Sequence, residues 1–202
     1  MTDHGRDYWN SRYSEKELLW TAEPNRFLPP AVEGLEPGDA LDLAGGEGRN
    51  AVWLAKQGWR VTVLDWADVA LDKGRALAGR ERVEVWFTQA DLRIWWPPEE
   101  CADLCLIAYL QVPHEERHGV WRAAVQALRP SGRLVVIGHH SDNLTEGYGG
   151  PQSPEALFTP EEVVEVVGDD LEVLRAERVD RPVENEDGEF VALDLVVVAD
   201  KA

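Results

Sequence analysis

The residues with the clearest chemical potential lie in a glycine turn between a predicted strand and a predicted helix. The segment reads Ala40-Leu41-Asp42-Leu43-Ala44-Gly45-Gly46-Glu47-Gly48-Arg49-Asn50-Ala51. It contains Gly46-x-Gly48-x-x-Ala51, and Asp65 follows Gly46 by 19 residues, as in dinucleotide-binding sites. The glycine spacing therefore predicts a nucleotide-like ligand, although it leaves the chemical class of that ligand open.

Carboxylates in and around the turn favour a ligand that carries positive charge. Asp42 lies in the preceding strand and Glu47 lies inside the turn. Each would repel a nearby diphosphate by roughly 1 kcal/mol or more, even at a high effective dielectric constant. S-adenosylmethionine has an ammonium, a sulfonium and no phosphate, and it fits this charge pattern better than a dinucleotide does.

Two further strand ends supply groups for an adenosine. We expect Asp65 to accept hydrogen bonds from the ribose hydroxyls and Trp66 to lie against the adenine ring. Asp91 follows the third predicted strand and is expected to accept a hydrogen bond from the adenine amino group.

Histidines at other strand ends are the candidates for catalysis. His139 and His140 end one predicted strand, and Tyr109 and His114 follow another. Ligands of open parallel sheets bind at the carboxyl ends of the strands, so these side chains are predicted to surround the reacting atoms. Successive strand residues point to opposite faces, so at most one of His139 and His140 should face the site. The alternative for each histidine is a purely structural role or simple exposure to solvent. A metal site formed by His114, His139 and His140 is less favoured, and no metal is predicted.

The elements that position these residues are short apolar strands alternating with amphipathic helices. The alternation predicts βαβ units and a parallel sheet. The predicted strands are Ala40 to Leu43, Val61 to Leu64, Val83 to Phe87, Leu104 to Ala108 and Leu134 to Ile137. Capping boxes at Ser14 and Thr159 predict two helix starts. Leu171 to Val179 and Phe190 to Ala199 are predicted to form a closing antiparallel hairpin.

Composition limits the partners. The chain has 202 residues and a formal net charge of −18, which opposes binding to nucleic acid or to anionic lipid. We expect one domain spanning 1–202, with an N-terminal helical lid at 1–36 and a core at 37–202. Cys101 and Cys105 are interpreted as reduced thiols. The sequence also predicts a cytoplasmic protein, monomeric or dimeric, that has a small-molecule partner and contacts neither nucleic acid nor membrane.

The motifs resemble those of class I S-adenosylmethionine-dependent methyltransferases. Asp42-Leu43-Ala44-Gly45-Gly46-Glu47-Gly48 is similar to their first motif, and Asp65, Asp91-Leu92, Asp103-Leu104 and Ala108-Tyr109 are similar to later ones. Tyr8-Trp9-Asn10-x-Arg12-Tyr13 and the segment from Trp20 to Leu28 resemble the small-molecule branch that includes tellurite-resistance protein B and thiopurine-methyltransferase-like enzymes. Ala44 stands where many members have glycine, and Gly45 stands where many have cysteine.

The resemblance implies a doubly wound, Rossmann-like α/β fold with seven strands, mostly parallel and with an antiparallel last strand. N-terminal helices would cover the cofactor. Taken with the residue-level interpretation, it implies cofactor binding by Asp42, Ala44, Gly46, Gly48, Asp65, Trp66, Asp91, Leu92, Ala108, Arg12 and Trp20.

The predicted function is methyl transfer from S-adenosylmethionine to an oxygen, nitrogen, sulfur or soft-anion nucleophile of a small molecule. The transfer is an in-line displacement, with a histidine as the candidate general base. An NAD(P)-dependent oxidoreductase and a non-catalytic cofactor-binding protein remain as alternatives. The turn-rich connection from Ser141 to Phe158, with Tyr148 at its centre, is predicted to form a wall of the acceptor site.

Overall fold

A seven-stranded sheet forms the centre of the computed structural model, which describes residues 5–185 and 188–202. Its strand order is β3-β2-β1-β4-β5-β7-β6, and β7 alone runs against its neighbours β5 and β6. This arrangement confirms the predicted fold class. The strands are β1 (Asp39–Leu43), β2 (Arg60–Asp65), β3 (Val85–Gln89), β4 (Ala102–Ala108), β5 (Leu128–His139), β6 (Leu171–Asn185) and β7 (Gly188–Lys201).

Helices cover both faces of the sheet. They are α1 (Arg6–Ser14), α2 (Leu28–Ala31), α3 (Arg49–Lys56), α4 (Asp68–Glu81), α5 (His114–Ala127) and α6 (Pro160–Val167). Within β4, Cys105 and Ile107 pack in the core under α5 and α6, whereas Leu104 and Leu106 pack in the core under α2, α3 and α4. Because both faces are buried, the residues from Leu104 to Ala108 of β4 are all apolar.

The two capping-box predictions have opposite outcomes. At Thr159 the prediction is confirmed, because its hydroxyl accepts a hydrogen bond from the backbone N–H of Glu162 and α6 begins at Pro160. At Ser14 it is wrong: Ser14 is the last residue of α1, and its hydroxyl donates to the carbonyl of Asn10 at 2.8 Å. The chain beyond Ser14 leaves the helical path because the N–H groups of Leu19 and Trp20 bind Glu47 in the glycine turn.

The predicted C-terminal hairpin is confirmed and is longer than expected, because polar residues extend both strands towards the turn. The third strand begins at Val85, two residues later than predicted. Cys101 and Cys105 are both free. None of the helices in the described ranges is long and apolar enough to cross a bilayer.

A buried arginine joins α5, α6 and the segment between β5 and α6. The Arg117 side chain is only 3% exposed and lies 2.8 Å from a carboxylate oxygen of Glu162. Its guanidinium also donates to the backbone carbonyls of Val112, Glu155 and Leu157. These bonds satisfy a charge that would otherwise be costly to bury.

Replacing Arg117 with alanine should therefore destabilise the protein strongly. We expect the free energy of unfolding to fall by about 3–5 kcal/mol, because Glu162 and the three carbonyls lose their donor. Arg122→Ala, at an exposed position of the same helix, should change it by no more than about 0.5 kcal/mol. Urea denaturation measures both values, and equal losses in the two variants would contradict this role of Arg117.

Candidate functional site

The glycine turn and the residue after β4 flank a crevice at the carboxyl ends of the central strands. Ala44 follows β1 with a φ of 59°, and Tyr109 follows β4 with a φ of 58°. Residues other than glycine rarely adopt this left-handed conformation, and when they do they are often found at functional sites. Ala44 and Tyr109 both line the two cavities that open from the crevice.

The small cavity, of about 60 Å³, has the walls expected of a nucleoside site. Asp65, Trp66, Asp91 and Leu92 line it, and all four are predicted cofactor-binding residues. Three apolar side chains also line it: Leu110 and Val112, which precede α5, and Val120, which lies in α5. The structure therefore brings together the adenosine-binding residues that the sequence predicted.

The two carboxylates of the small cavity differ in their environment. Asp65 is buried and accepts hydrogen bonds from the backbone N–H groups of Gly46 and Ala67, both at 2.9 Å. Burial raises its pKa in spite of these bonds. Asp91 is paired with Arg93 at 2.7 Å, which lowers its pKa. The Arg93 guanidinium also lies 4.9 Å from the centre of the Trp66 ring.

Asp42 is a buried carboxylate without a partner. Its side chain is fully buried, and neither oxygen has a hydrogen-bond partner in the described part of the chain. Burial and the nearby charge of Asp65 raise its pKa to about 7. A Cβ atom at Gly45 would lie 2.7 Å from the Asp42 carboxyl carbon, so a glycine is required there. This carboxylate gives the turn a place for a cationic group.

The two predicted cofactor glycines have different roles. Gly46 has a φ of 55°, and a Cβ there would lie 2.5 Å from the Tyr13 hydroxyl, so Gly46 leaves room for α1. Gly48 begins α3 with a φ of 72°, and a Cβ there would lie 2.8 Å from the Phe87 ring. Gly48 thus serves packing against β3, and it lines neither of the two cavities.

Glu47 holds the N-terminal segment against the glycine turn. Its buried carboxylate accepts hydrogen bonds from the backbone N–H groups of Leu19 at 2.9 Å and Trp20 at 3.2 Å. Lys73 of α4 lies 3.4 Å from the same carboxylate and donates to the carbonyl of Tyr13. With these contacts in place, side chains of the N-terminal segment line the large cavity.

The large cavity measures about 420 Å³ and adjoins the small one at Ala44 and Tyr109. Ala108 and Trp20, two of the predicted cofactor-binding residues, line it together with His139. Its remaining polar wall includes four residues that sequence reasoning missed, which are Asn25, Arg49, Asn50 and Arg181.

A four-residue network positions His139 at this cavity. Asp194 of β7 is fully buried and accepts hydrogen bonds from the Tyr109 hydroxyl at 2.7 Å and from Arg181 Nε at 2.6 Å. Its other oxygen lies 3.0 Å from His139 Nδ1. Burial opposes ionisation of Asp194, but the bonds from His139 and Arg181 hold its pKa below the usual value. The network keeps a negative charge behind the imidazole.

Six predicted site residues line neither cavity, namely Arg12, Asp42, Gly46, Gly48, His114 and His140. Three of them, Arg12, His114 and His140, make contacts elsewhere. Arg12 places its guanidinium 5.6 Å from the Trp9 ring centre and lines neither cavity. His140 is buried and caps the short helix after β5 by accepting a hydrogen bond from the N–H of Asp142. His114 at the start of α5 lies 3.1 Å from Glu162. Each of these three side chains is therefore engaged in contacts outside the two cavities.

The other expectations for this region also change. Tyr148 stacks on Phe190 with ring centres 4.0 Å apart and lines neither cavity, so the segment 141–158 packs against the hairpin there. Within residues 5–185 and 188–202, the only group of three metal-ligating side chains close enough to share an ion is His114, His118 and Glu162. His139 and His140 therefore do not join His114 in a metal site.

The environment of Asp42 makes the stability of the protein depend on pH. The folded-state pKa of about 7 lies above the ordinary value of 3.8, so stability is lost as pH rises through that interval. A shift of about three pKa units corresponds to about 4 kcal/mol. Asp42→Asn cannot ionise and should therefore gain stability over the wild type between about pH 4 and pH 7, then keep a constant gain of up to about 4 kcal/mol.

Urea denaturation of Asp42→Asn and wild type at pH 4, 6 and 8 measures this gain. Asp72→Asn is a suitable control because Asp72 is 78% exposed on α4, and its effect should be small at each pH. A gain for Asp42→Asn that is the same at all three pH values would show that the pKa of Asp42 does not differ between the folded and unfolded states.

Comparison with known proteins assigns the fold. Residues 40–132 match a family model described as a methyltransferase domain. No curated protein sequence matches the chain. A protein solved in work on the conversion of a disulfide bond into a thioacetal group during echinomycin biosynthesis has a TM-score of 0.74 at 18% identity, over 97% of this chain and 92% of its own.

Two other solved structures agree. TehB from Haemophilus influenzae has a TM-score of 0.72 at 19% identity, over 98% of this chain and 67% of its own. A SAM-dependent methyltransferase from Methanosarcina mazei has a TM-score of 0.66 at 18% identity, over 89% and 98% of the two chains. Residues 40–132 are thus similar to a methyltransferase domain, and the chain as a whole has the fold of class I S-adenosylmethionine-dependent methyltransferases.

Proposed function

We propose that the protein transfers a methyl group from S-adenosylmethionine to a small-molecule nucleophile bound in the large cavity. The observation that carries the proposal is the position of this cavity, which adjoins at Ala44 and Tyr109 the small cavity lined by Asp65, Trp66 and Asp91. Its size suits a small molecule. The echinomycin-related neighbour, which comes from the biosynthesis of a small molecule, supports an acceptor of this class.

The residues present fit the cofactor. Asp65, Trp66, Asp91 and Leu92 offer carboxylates for hydroxyl and amino groups and apolar surface for a base. The unpartnered carboxylate of Asp42 supplies negative charge beside the turn, which matches an ammonium group. When bound, S-adenosylmethionine would supply the methyl group: the nucleophile would attack the methyl carbon in line with the carbon–sulfur bond, which breaks and releases S-adenosylhomocysteine.

In this proposal Arg49, and not Arg12, provides the positive charge that binds the carboxylate of the cofactor. Arg49 lines the large cavity directly after the glycine turn. Burial lowers its pKa, so its charge is poorly solvated and an anionic partner would stabilise it. By contrast, the Arg12 guanidinium packs on the aromatic rings of its own helix.

His139 is the proposed general base for an acceptor that must lose a proton. Its Nδ1 atom is held by Asp194, and this leaves Nε2 to take a proton from a group in the large cavity. The negative charge of Asp194 stabilises the imidazolium that results. Arg181 and Tyr109 hold that carboxylate in place. Alignment of the acceptor and exclusion of water supply the rest of the rate enhancement.

Turnover in the presence of candidate acceptors tests the proposal. The protein is incubated with S-adenosylmethionine and a panel of thiols, phenols, amines, heteroaromatic nitrogens and soft oxyanions, and S-adenosylhomocysteine is quantified. We expect cofactor binding in the micromolar range, its loss in Asp65→Ala, and acceptor-dependent product from at least one member of the panel. Thermal unfolding of Asp65→Ala checks that the variant is folded, since Asp65 also binds the Gly46 N–H.

Two outcomes would overturn the proposal. Absence of calorimetric heat with millimolar S-adenosylmethionine, together with quenching of tryptophan fluorescence by NAD or NADP, would favour the oxidoreductase alternative. Binding of S-adenosylmethionine without product from any acceptor class would identify a cofactor-binding protein that does not catalyse transfer.

The role of His139 has a separate test. His139→Gln should lower kcat by about 10²- to 10⁴-fold and leave cofactor affinity unchanged, because the substitution removes the base and preserves the cavity. His140→Asn is a matched control, since asparagine can still accept the capping hydrogen bond that His140 makes. Steady-state kinetics across pH distinguishes the two. An unchanged kcat in His139→Gln would show that positioning alone suffices for this acceptor.

A further inference from the structure

The first turn of α5 carries a pair of histidines at metal-binding spacing. The sequence there is His114-Glu115-Glu116-Arg117-His118, an H-E-x-x-H pattern. Residues four apart on a helix lie on the same face, and the two imidazole rings have centres 4.1 Å apart. On a helix this spacing lets two imidazole nitrogens bind the same ion.

A carboxylate from the neighbouring helix α6 completes the group. Oε1 of Glu162 lies 3.1 Å from Nδ1 of His114 and 2.9 Å from Nε2 of His118. The ligand atoms of the three residues all lie within 4.8 Å of one another. Two imidazoles and one carboxylate form a known zinc donor set that leaves a fourth position open for water.

Arg117 fixes the carboxylate of this group. It lies 2.8 Å from Oε1 and donates to Oε2 of Glu162 at 3.2 Å. Each carboxylate oxygen offers more than one lone pair, so Glu162 can bind Arg117 and an ion at the same time. The positive charge of Arg117 is offset by Glu162 itself. Arg117 is therefore a positioning residue for the site.

The group is open to solvent and separate from the cofactor site. The side chain of His114 is 60% exposed, whereas those of His118 and Glu162 are 16% and 20% exposed. An ion could enter from the His114 side and be held by the two less exposed ligands. None of the three residues lines the small or the large cavity.

We propose that His114, His118 and Glu162 bind one divalent transition-metal ion of the zinc type, which connects α5 to α6. Imidazole and carboxylate ligands favour zinc, cobalt, nickel and copper over magnesium or calcium. Because α5 also contributes Val120 to the small cavity, an ion at this place stiffens one wall of the nucleoside site.

Metal titration of the chelator-treated full chain, without an affinity tag, tests this proposal. We expect one equivalent of Zn²⁺ per chain at micromolar concentration by calorimetry, and visible absorption from bound Co²⁺ that Zn²⁺ removes. Zn²⁺ should raise the thermal midpoint, since it binds the folded state. His118→Ala and His114→Ala should each weaken binding at least about tenfold.

Glu115→Gln provides the control, because Glu115 shares the turn and lies outside the three-ligand group. It should keep the affinity of the wild type. Circular dichroism without metal shows that each variant is folded. The proposal is wrong if the wild type binds no stoichiometric Zn²⁺, if both histidine variants bind as well as the wild type, or if Glu115→Gln loses as much affinity as His118→Ala, since that result would indicate diffuse attraction by surface charge.

Discussion

The reversal of strand order between β1 and β4 is the constraint on which the rest of the structure depends. β1 pairs with β2 on one side and with β4 on the other, so the connections after β1 and β4 leave the sheet in opposite directions. A crevice must open between them. The glycine turn forms one wall, Tyr109 forms the other, and both cavities lie where the two walls meet.

Charge is distributed unevenly within this crevice. Carboxylates cluster at the ends of β1, β2 and β3, beside the small cavity, whereas guanidinium groups of Arg49 and Arg181 line the large one. Glu47 lies between these regions, and its carboxylate accepts hydrogen bonds from backbone N–H groups of the N-terminal segment. The acidic residue of the turn is thus structural, whereas Asp42 of the preceding strand β1 is left without a hydrogen-bond partner. The distinction matters for function, because only an uncompensated charge is available to a ligand.

Sequence patterns predicted the elements that are buried on both faces. The central strands are apolar on both faces, and their alternation with helices determined the fold class. The prediction at Ser14 failed because a capping box records only local preference, whereas the chain direction there depends on Glu47, more than 25 residues away along the chain. The third strand was placed too early because β3 is exposed on one face and lacks a continuous apolar run.

Of the residues at the site, some were predicted from the sequence and others were missed. Carboxylates at the ends of three strands were found because parallel strand ends meet at one edge. Asp194 and Arg181 were missed because they come from the hairpin, whose pairing brings them to β5 without any motif. Arg49 could have been found, since it directly follows Gly48. The spacing of His114 and His118 was also visible in the sequence, but their partner Glu162 depends on how α6 packs against α5.

The isolation of Asp42 also links occupancy of the crevice to proton release. With a pKa of about 7, this group is about half protonated in the free protein near neutrality. A ligand that places a cation beside it selects the ionised fraction, so the apparent affinity falls in proportion to that fraction and declines about tenfold for each pH unit below 7. Binding then liberates a proton into solution, and the measured enthalpy includes the ionisation enthalpy of whichever buffer takes it up. Under the proposed pairing of Asp42 with a cationic group of the cofactor, this buried carboxylate would make binding respond to small changes of pH near neutrality.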